Sequence, residues 1–259
     1  MKKLVTFTSA GLWMAVYCMS VAQAQDDGQD PAIIETYSCN FTGNNDLDDV
    51  LAVAERWNAW ADDREDHGYS ATILTPYIFS DQTTFDFGWL GVYPSGEALG
   101  AGEGQWLSEG GDIQDDFDAV SECSSHAHYA GLMAHAPSED GPVPDSDSIG
   151  FIAFQDCALA DGRIIPEARE ALGEWGDYLA EQGDDRFMGL LIPLAGERDD
   201  IDFDFKSVAG FNSPQALGSF IDTYVQGGFR VLNDLTDRVM ACDSPRVYVT
   251  TPVRQASDE

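Results

Sequence analysis

Two histidines separated by a single residue are the best candidates in this chain for acid–base catalysis or metal binding. His126 and His128 lie in the segment 124–134, whose pattern predicts a β-strand. Successive side chains of a strand point to opposite faces of the sheet, so both imidazoles are expected on one face. Imidazole exchanges protons near neutral pH and is a common metal ligand. We therefore expect His126 and His128 to be catalytic, whereas a metal would need a third ligand that the sequence does not name.

Two aspartates form the second set of candidates. Asp86 and Asp204 each lie between two phenylalanines. If the phenylalanines pack on helices, both carboxyl groups face the interior between two sheets. Burial beside a like charge raises the pKa of a carboxyl group and favours its use as a general base. We expect Asp86 to be catalytic and Asp204 to bind ligand; the alternative is the opposite orientation, or a position at the end of a strand.

The elements that would position these groups occur twice along the chain. A shift of 118 residues places Cys39 on Cys157 and Trp57 on Trp175. Each copy has the pattern of a strand, a helix, two strands, a helix and a strand, which is the βαββαβ unit. In the first copy the predicted elements are a strand at 33–40, a helix at 47–63, strands at 69–79 and 84–93, a helix at 95–107 and 113–120 broken at Gly110-Gly111, and a strand at 124–134. The helix matching 47–63 is predicted at 165–181.

The repeat and its flanking segments predict the domain organisation. The segment 136–147 is rich in proline, serine and acidic residues, which is typical of a linker. The expected order is a signal peptide at 1–24, a flexible mature N-terminus at 25–32, a first repeat at 33–135, the linker at 136–147, a second repeat at 148–252 and a tail at 253–259.

The first 24 residues have the features of a secretory signal peptide. Lys2 and Lys3 precede a short apolar stretch, and Ala22-Gln23-Ala24 fits a cleavage site. We therefore expect a periplasmic or secreted protein.

Cysteine usage agrees with an oxidising compartment. Four cysteines follow the expected signal peptide, and an even number there predicts two disulfides with three connectivities. In a βαββαβ unit the first and last strands are antiparallel neighbours, which favours the pairs Cys39–Cys123 and Cys157–Cys242. Four free buried thiols are the alternative.

The charge of the chain excludes two classes of partner. It carries 13 Lys and Arg residues against 46 Asp and Glu residues, a formal net charge of −33. Such a surface repels nucleic acid and anionic membranes, so neither is expected as a partner. A solvated acidic surface, as in adaptation to salty media, is the simpler interpretation, and cation binding is the alternative.

Aromatic residues supply candidates for ligand binding. Trp57 and Trp175 occupy matching helical positions, which favours core packing for this pair. Trp89 matches Ser207, so this tryptophan is not shared between the copies. We expect Trp89 and Tyr129 to contact a ligand beside the two histidines, which makes the first copy the binding half.

Two such units in tandem resemble the dimeric α/β-barrel superfamily. The resemblance covers about 33–252 and rests on element order and duplication, without a catalytic motif. It implies an α+β fold of two tandem ferredoxin-like βαββαβ repeats forming a fused dimeric α/β-barrel-like pseudo-dimer, which needs no second chain and is expected to be a monomer. Members of the superfamily include cofactor-independent monooxygenases, isomerases, decarboxylases and haem enzymes.

Three functions follow from these expectations. The first is an exported protein that binds a small apolar or aromatic ligand between its two repeats, without a cofactor. The second is a small-molecule enzyme resembling the cofactor-independent monooxygenases or isomerases. The third is a structural or interaction protein whose interior is filled. The sequence does not decide whether the chain is an enzyme.

Overall fold

The computed structural model describes residues 31–65, 67–138, 149–197 and 201–256. The expected signal peptide, its cleavage site and residues 139–147 of the expected linker 136–147 lie outside these residues. Among the described residues, no helix is long and apolar enough to cross a membrane.

Both halves of the chain, which are defined here as residues 31–138 and 149–256, contain strands and helices in a similar order. The elements of the first half are β1 (Ala32–Phe41), α1 (Leu47–Asp62), β2 (Ser70–Ile78), β3 (Phe87–Tyr93), α2 (Gly96–Glu109), α3 (Gly111–Val120) and β4 (Ser121–His135). Those of the second half are β5 (Gly150–Leu159), α4 (Ile165–Glu181), β6 (Met188–Ala195), β7 (Phe205–Phe211), α5 (Pro214–Thr223), α6 (Phe229–Thr236), β8 (Met240–Cys242) and β9 (Arg246–Arg254). A π-helical segment at Tyr224–Gly228 joins α5 to α6.

Short polar side chains fix where the helices around the site begin. The Asp46 carboxylate accepts the backbone N–H of Asp48, and the Asp49 carboxylate accepts that of Asp46, so α1 begins in a reciprocal cap. The Ser95 hydroxyl accepts the N–H of Ala98 at the start of α2. These caps satisfy N–H groups that have no partner within the helix.

Eight of the strands form one closed antiparallel barrel. Their order around the barrel is β7-β6-β4-β1-β3-β2-β9-β5, and β5 pairs with β7 to close it. The short strand β8 pairs with β5 alone, over Cys157–Leu159. The helices lie outside this barrel.

The prediction of two tandem ferredoxin-like βαββαβ repeats is wrong, because the two halves do not form separate sheets. β4 pairs with β6 and β2 pairs with β9, so strands of different halves are joined by backbone hydrogen bonds. A separate four-stranded sheet would leave edge strands with unpaired N–H and C=O groups, and barrel closure pairs them. The second half also contains β8, which the βαββαβ order lacks. Strand periodicity in the sequence does not specify which strands pair.

Side chains of β1 alternate between the barrel interior and the face of the sheet that the helices cover. Ile34 packs inside the barrel with Ala127, Tyr129, Leu191 and Val208. Cys39 lies on the other face and packs with Val50 of α1. Side chains at even positions of β1 therefore face the barrel interior, and those at odd positions face the helices α1–α3.

Both expected disulfides are present. Cys39 is bonded to Cys123, and these residues are partners in the β1–β4 register. Cys157 is bonded to Cys242, its partner in the β5–β8 register. Each bridge therefore joins two neighbouring strands within one half of the chain.

Candidate functional site

Strand register brings both histidines to one buried carboxylate. In the β1–β4 pair, Glu35 is opposite His128 and Tyr37 is opposite His126. In the β1–β3 pair, Tyr37 is opposite Trp89. All of these residues lie on the face of the sheet that α1–α3 cover, because Glu35 and Tyr37 share that face of β1 with Cys39 and residues directly opposite each other on paired strands point to the same face. The sheet thus gathers acidic, basic and aromatic groups in one place.

The Glu35 carboxylate is the centre of a hydrogen-bond network. Its side chain is 5% exposed. Oε1 lies 2.8 Å from His126 Nε2 and accepts the Tyr37 hydroxyl at 3.0 Å. Oε2 accepts the Tyr69 hydroxyl at 2.8 Å, and Trp89 Nε1 donates to that hydroxyl at 2.8 Å. Three side chains therefore contact a carboxylate that would be unfavourable to bury alone, and Trp89 holds one of them in place.

A glycine makes room for part of this network. Gly91 of β3 is opposite Glu35, and a Cβ atom on Gly91 would lie 2.0 Å from the Tyr69 hydroxyl. The missing side chain lets the Tyr69 ring cross β3 and reach Glu35. The position thus requires glycine for the close approach of a neighbouring side chain.

The surroundings shift the pKa values of two carboxyl groups in opposite directions. Burial raises the pKa of Glu35, but hydrogen bonds from His126, Tyr69 and Tyr37 outweigh it, so the pKa lies below its ordinary value. Burial and the nearby charge of Glu35 raise the pKa of Glu103, on α2, to about 7. Near neutral pH the cluster therefore contains one ionised carboxylate and one group close to its titration midpoint.

This shift predicts a pH-dependent stability. The folded chain holds the Glu103 proton more tightly than the unfolded chain, so its contribution is complete below about pH 4.5 and is lost as the pH rises through about 7. Chemical denaturation with EDTA present should show the free energy of unfolding falling over this range. Glu103→Gln should reduce the fall, whereas Glu97→Gln, at an exposed position of the same helix, should not. An equal fall in both variants would contradict the assignment.

A cavity of about 590 Å³ lies between this face of the sheet and the helices α1–α3. Its walls are mainly aromatic, and Glu35 and Glu103 belong to them. The aromatic residues of the walls are Tyr37, Trp57, Trp60, Tyr69, Phe87, Trp89, Tyr93, Trp106 and Phe117. The volume is within the usual range for pockets that bind small molecules.

Small residues in α2 account for this cavity. Four of the fourteen residues of α2 are glycine, and neither α2 nor α3 contributes a fully buried residue. A Cβ atom on Gly102 would lie 2.7 Å from the Tyr93 ring, so this glycine lets α2 lie close to β3. In the second half, α5 instead packs Phe220 on Phe211 with ring centroids 5.8 Å apart. The helices of the first half therefore cover the sheet without filling the space beneath them.

The polar groups of the cavity favour some ligands over others. Its walls contain the carboxyl groups of Glu35, Glu65, Glu103, Asp118 and Glu122, against the single guanidinium of Arg254. Anionic ligands are thus disfavoured. The indole nitrogen of Trp60 is buried and has no hydrogen-bond partner among the described residues. Trp60 also lines the cavity, so a ligand oxygen that accepted from this N–H group would supply the missing hydrogen bond.

The histidines and Trp89 lie together as the sequence analysis expects. Trp89 lines the cavity, and the His126 ring stacks on Tyr37 with centroids 4.0 Å apart. The His126 side chain is 39% exposed and that of His128 is 21% exposed. The sheet face is thus only partly covered at this end.

Three other expected site residues lie elsewhere. The carboxylates of Asp86 and Asp204 are exposed and accept the backbone N–H groups of Phe41 and Leu159, respectively. Neither lines the cavity. Tyr129 is on the opposite face of β4, in the barrel interior, where its hydroxyl donates to Glu197. The structure therefore does not bring these three residues to the cluster around Glu35.

The sequence analysis missed Glu35, Tyr37, Tyr69 and Glu103. The sequence does contain a clue to Glu35, since it is the one charged residue of the strand Ala32–Phe41 and lies on the same face of that strand as Cys39. Glu103 has no such clue, because it lies on a helix and its direction depends on how that helix packs on the sheet.

A second cavity, of about 420 Å³, lies in the barrel between the two halves. Its walls are almost entirely apolar and include Ile34, Leu90, Phe154 and Val208, with Arg169 as the one charged group. It offers volume for a ligand but few polar groups to orient one.

Comparisons with known proteins identify the fold. No protein-family model matches the chain, and no curated protein is similar to it at a significant level. Solved structures do match. One, assigned as a monooxygenase of Fusobacterium nucleatum subsp. nucleatum ATCC 25586, has a TM-score of 0.56 and 10% identity, over 88% of this chain and 94% of the other.

Two further structures support the same conclusion. An anthrone oxidase-like protein has a TM-score of 0.54 and 17% identity, over 90% of this chain and 95% of the other. A protein of Lactobacillus acidophilus NCFM, assigned as a monooxygenase, has a TM-score of 0.51 and 11% identity, over 88% and 96%. The chain therefore shares its fold with these three proteins.

Proposed function

We propose that the cavity of the first half binds a small, uncharged aromatic molecule that has a hydroxyl or carbonyl oxygen. Aromatic walls and a volume of about 590 Å³ support a planar ligand of two or three rings. The excess of carboxyl groups disfavours an anion. The cavity also argues against a purely structural protein with a filled interior.

The unpaired indole N–H of Trp60 is the observation that carries this proposal. The Trp60 ring is held edge-on to Trp106 with centroids 5.5 Å apart, and the Arg64 guanidinium lies 4.1 Å above it. These contacts fix the direction of the N–H group. A ligand oxygen that accepts from it would replace the missing hydrogen bond and orient the aromatic ring between the walls.

Isothermal titration calorimetry with three related probes tests the proposal. With EDTA present, 2-naphthol should bind at one site, naphthalene more weakly, and 2-naphthoate more weakly still because its charge meets the carboxyl groups of the cavity. Trp60→Phe keeps the ring and removes the donor, so affinity for 2-naphthol should fall about three- to tenfold while affinity for naphthalene changes little. Trp175→Phe, outside the cavity, is the matched control. No binding of 2-naphthol, or equal binding of all three probes, would refute the proposal.

Turnover of the same ligand is the second candidate function. Two of the structural neighbours are assigned as monooxygenases and one is anthrone oxidase-like, which makes anthrone a suitable further probe. Oxidation would consume one O₂ per anthrone and give anthraquinone and water. Oxygen uptake with anthraquinone formation would identify an enzyme, whereas saturable binding of anthrone without oxygen uptake would identify a binding protein.

Export and a monomeric state complete the proposal. The two disulfides support an oxidising compartment, such as the periplasm or the extracellular space. A single chain supplies all eight strands of the barrel, which supports a protein that functions as a monomer.

A further inference from the structure

Four potential metal ligands converge beside the cavity, and two of them, Glu35 and Glu103, also line it. A carboxylate oxygen from each of Glu35 and Glu103 and a ring nitrogen from each of His126 and His128 all lie within 4.8 Å of one another. Ligand atoms in a tetrahedral site with bonds of about 2.0–2.2 Å are separated by roughly 3.3–3.6 Å. The cluster therefore needs only small side-chain movements to surround one ion.

One of these ligands has no other partner. His128 Nε2 is buried and makes no hydrogen bond within the described part of the chain. It points toward Glu35 Oε1 at 3.7 Å, a separation too long for a hydrogen bond but suited to two ligands of one ion. A buried polar atom without a partner is unfavourable, and a bound cation would pair it.

Rigid elements hold the ligands in position. His126 and His128 lie on β4 opposite residues of β1, and Glu35 lies in the middle of β1. The Tyr37 and Tyr69 hydroxyls donate to the Glu35 carboxylate, as groups behind a metal-bound carboxylate commonly do. Three of the four ligands are thus oriented by backbone pairing that exists without an ion.

The fold itself does not require this cluster. In the second half, β5 pairs with β7 and β9 as β1 pairs with β3 and β4. There Ala153 is opposite Val247, where Glu35 is opposite His128 in the first half. Both residues are buried in an apolar cluster with Phe151 and Phe211. The fold therefore accepts apolar side chains at the positions of Glu35 and His128, so strand pairing alone does not explain these two polar groups of the first half.

We propose that Glu35, His126 and His128 bind a divalent first-row transition-metal ion, with Glu103 as the fourth ligand. Two imidazoles and two carboxylates match the preferences of ions such as Zn²⁺, Co²⁺ and Fe²⁺, whereas Ca²⁺ and Mg²⁺ prefer sites made of oxygen alone. Binding replaces the hydrogen bond between His126 and Glu35 by two bonds to the ion, and any proton shared between these groups is released to solvent. The site shares Glu35 and Glu103 with the walls of the cavity of the proposed function, but it does not depend on Trp60 or on the binding of an aromatic ligand.

Titration of the untagged, EDTA-treated chain with Co²⁺ alone tests this site. We expect one ion per chain at physiological ionic strength, with visible absorption bands typical of Co²⁺ bound by nitrogen and oxygen, and with a rise in melting temperature. Ca²⁺ should produce no comparable rise. Since the chain carries 46 acidic residues, stabilisation by Ca²⁺ equal to that by Co²⁺, without bands from nitrogen ligation, would show diffuse binding to the acidic surface and overturn the proposal.

Variants identify the ligands. His126→Ala and His128→Ala should each weaken Co²⁺ binding at least tenfold, and the double variant at least a hundredfold. His135→Gln is the matched control, because His135 lies on the same strand but contacts Asp177 and Asp185 instead. Unchanged affinity in the double variant, or a comparable loss in His135→Gln, would overturn the proposal. Should a variant fail to fold, the nitrogen-ligand absorption bands of the unaltered chain decide the question.

The two proposals fail separately. Titration with 2-naphthol in EDTA tests the aromatic cavity without a metal, and titration with Co²⁺ tests the metal site without an organic ligand. A negative result in one titration leaves the other unaffected.

Discussion

Removal of the Cys39–Cys123 disulfide is expected to lower the free energy of unfolding by about 4 kcal/mol. The two cysteines are 84 residues apart, and a crosslink across a loop of this length mainly restricts the unfolded chain. The second disulfide spans 85 residues, so loss of Cys157–Cys242 should have an effect of similar size. Paired alanine substitutions followed by urea denaturation measure both values.

Ligand binding should separate the two disulfide variants. Cys39 and Cys123 both border the cavity of the first half, whereas Cys157 and Cys242 do not. Cys39→Ala/Cys123→Ala should therefore weaken 2-naphthol binding as well as stability, and Cys157→Ala/Cys242→Ala should reduce stability alone. A change below about 1 kcal/mol in either variant, or a peptide map that joins a cysteine of one half to a cysteine of the other, would contradict the disulfide assignment.

Replacement of Trp175 by alanine should have an effect of the same size for a different reason. The Trp175 side chain is 2% exposed and packs with Leu172 and Leu179 in the filled core of the second half. Removing a large buried aromatic side chain costs about 3–5 kcal/mol, because apolar contacts are lost and a cavity remains. We expect about 4 kcal/mol for Trp175→Ala, measured by urea denaturation.

Trp57→Ala is the matched comparison. It should lower the free energy of unfolding less than Trp175→Ala does, but it should weaken 2-naphthol binding. Trp57 is 8% exposed and packs edge-on against Tyr69 and Trp89, yet one side of it borders the existing cavity. Because it has fewer contacts to lose, we expect a cost of about 2–3 kcal/mol. Loss of a cavity wall should weaken 2-naphthol binding about tenfold, whereas Trp175→Ala should leave it unchanged. Weaker 2-naphthol binding in Trp175→Ala with unchanged binding in Trp57→Ala would contradict a ligand site in the first half.

Local structure follows from the sequence because local signals determine it. The helix predicted at 165–181 has those bounds in the structure, and the break at Gly110-Gly111 separates α2 from α3. Strand β1 extends one residue beyond each end of the predicted 33–40. Capping side chains, helical spacing of apolar residues and glycine pairs act within a few residues, so a single sequence is sufficient to detect them.

Strand pairing between the halves is not local, and here prediction failed. Nothing within β4 or β6 marks them as neighbours, because a strand with suitable alternation can pair with any other such strand. The same limit applies to the site. Strand alternation placed His126 and His128 on one face, but the helix positions that bring Glu103 and Trp60 to that face depend on packing across the whole half.

The location of a bound ligand tests the central claim most directly. In a crystal structure of the protein with 6-bromo-2-naphthol, the anomalous signal of bromine would locate the ligand independently of the shape of its electron density. The account predicts bromine between the sheet and the helices α1–α3, with the ligand oxygen within hydrogen-bond distance of Trp60 Nε1. Bromine inside the barrel, among Ile34, Phe154 and Val208, or no ordered bromine at saturating ligand, would contradict it.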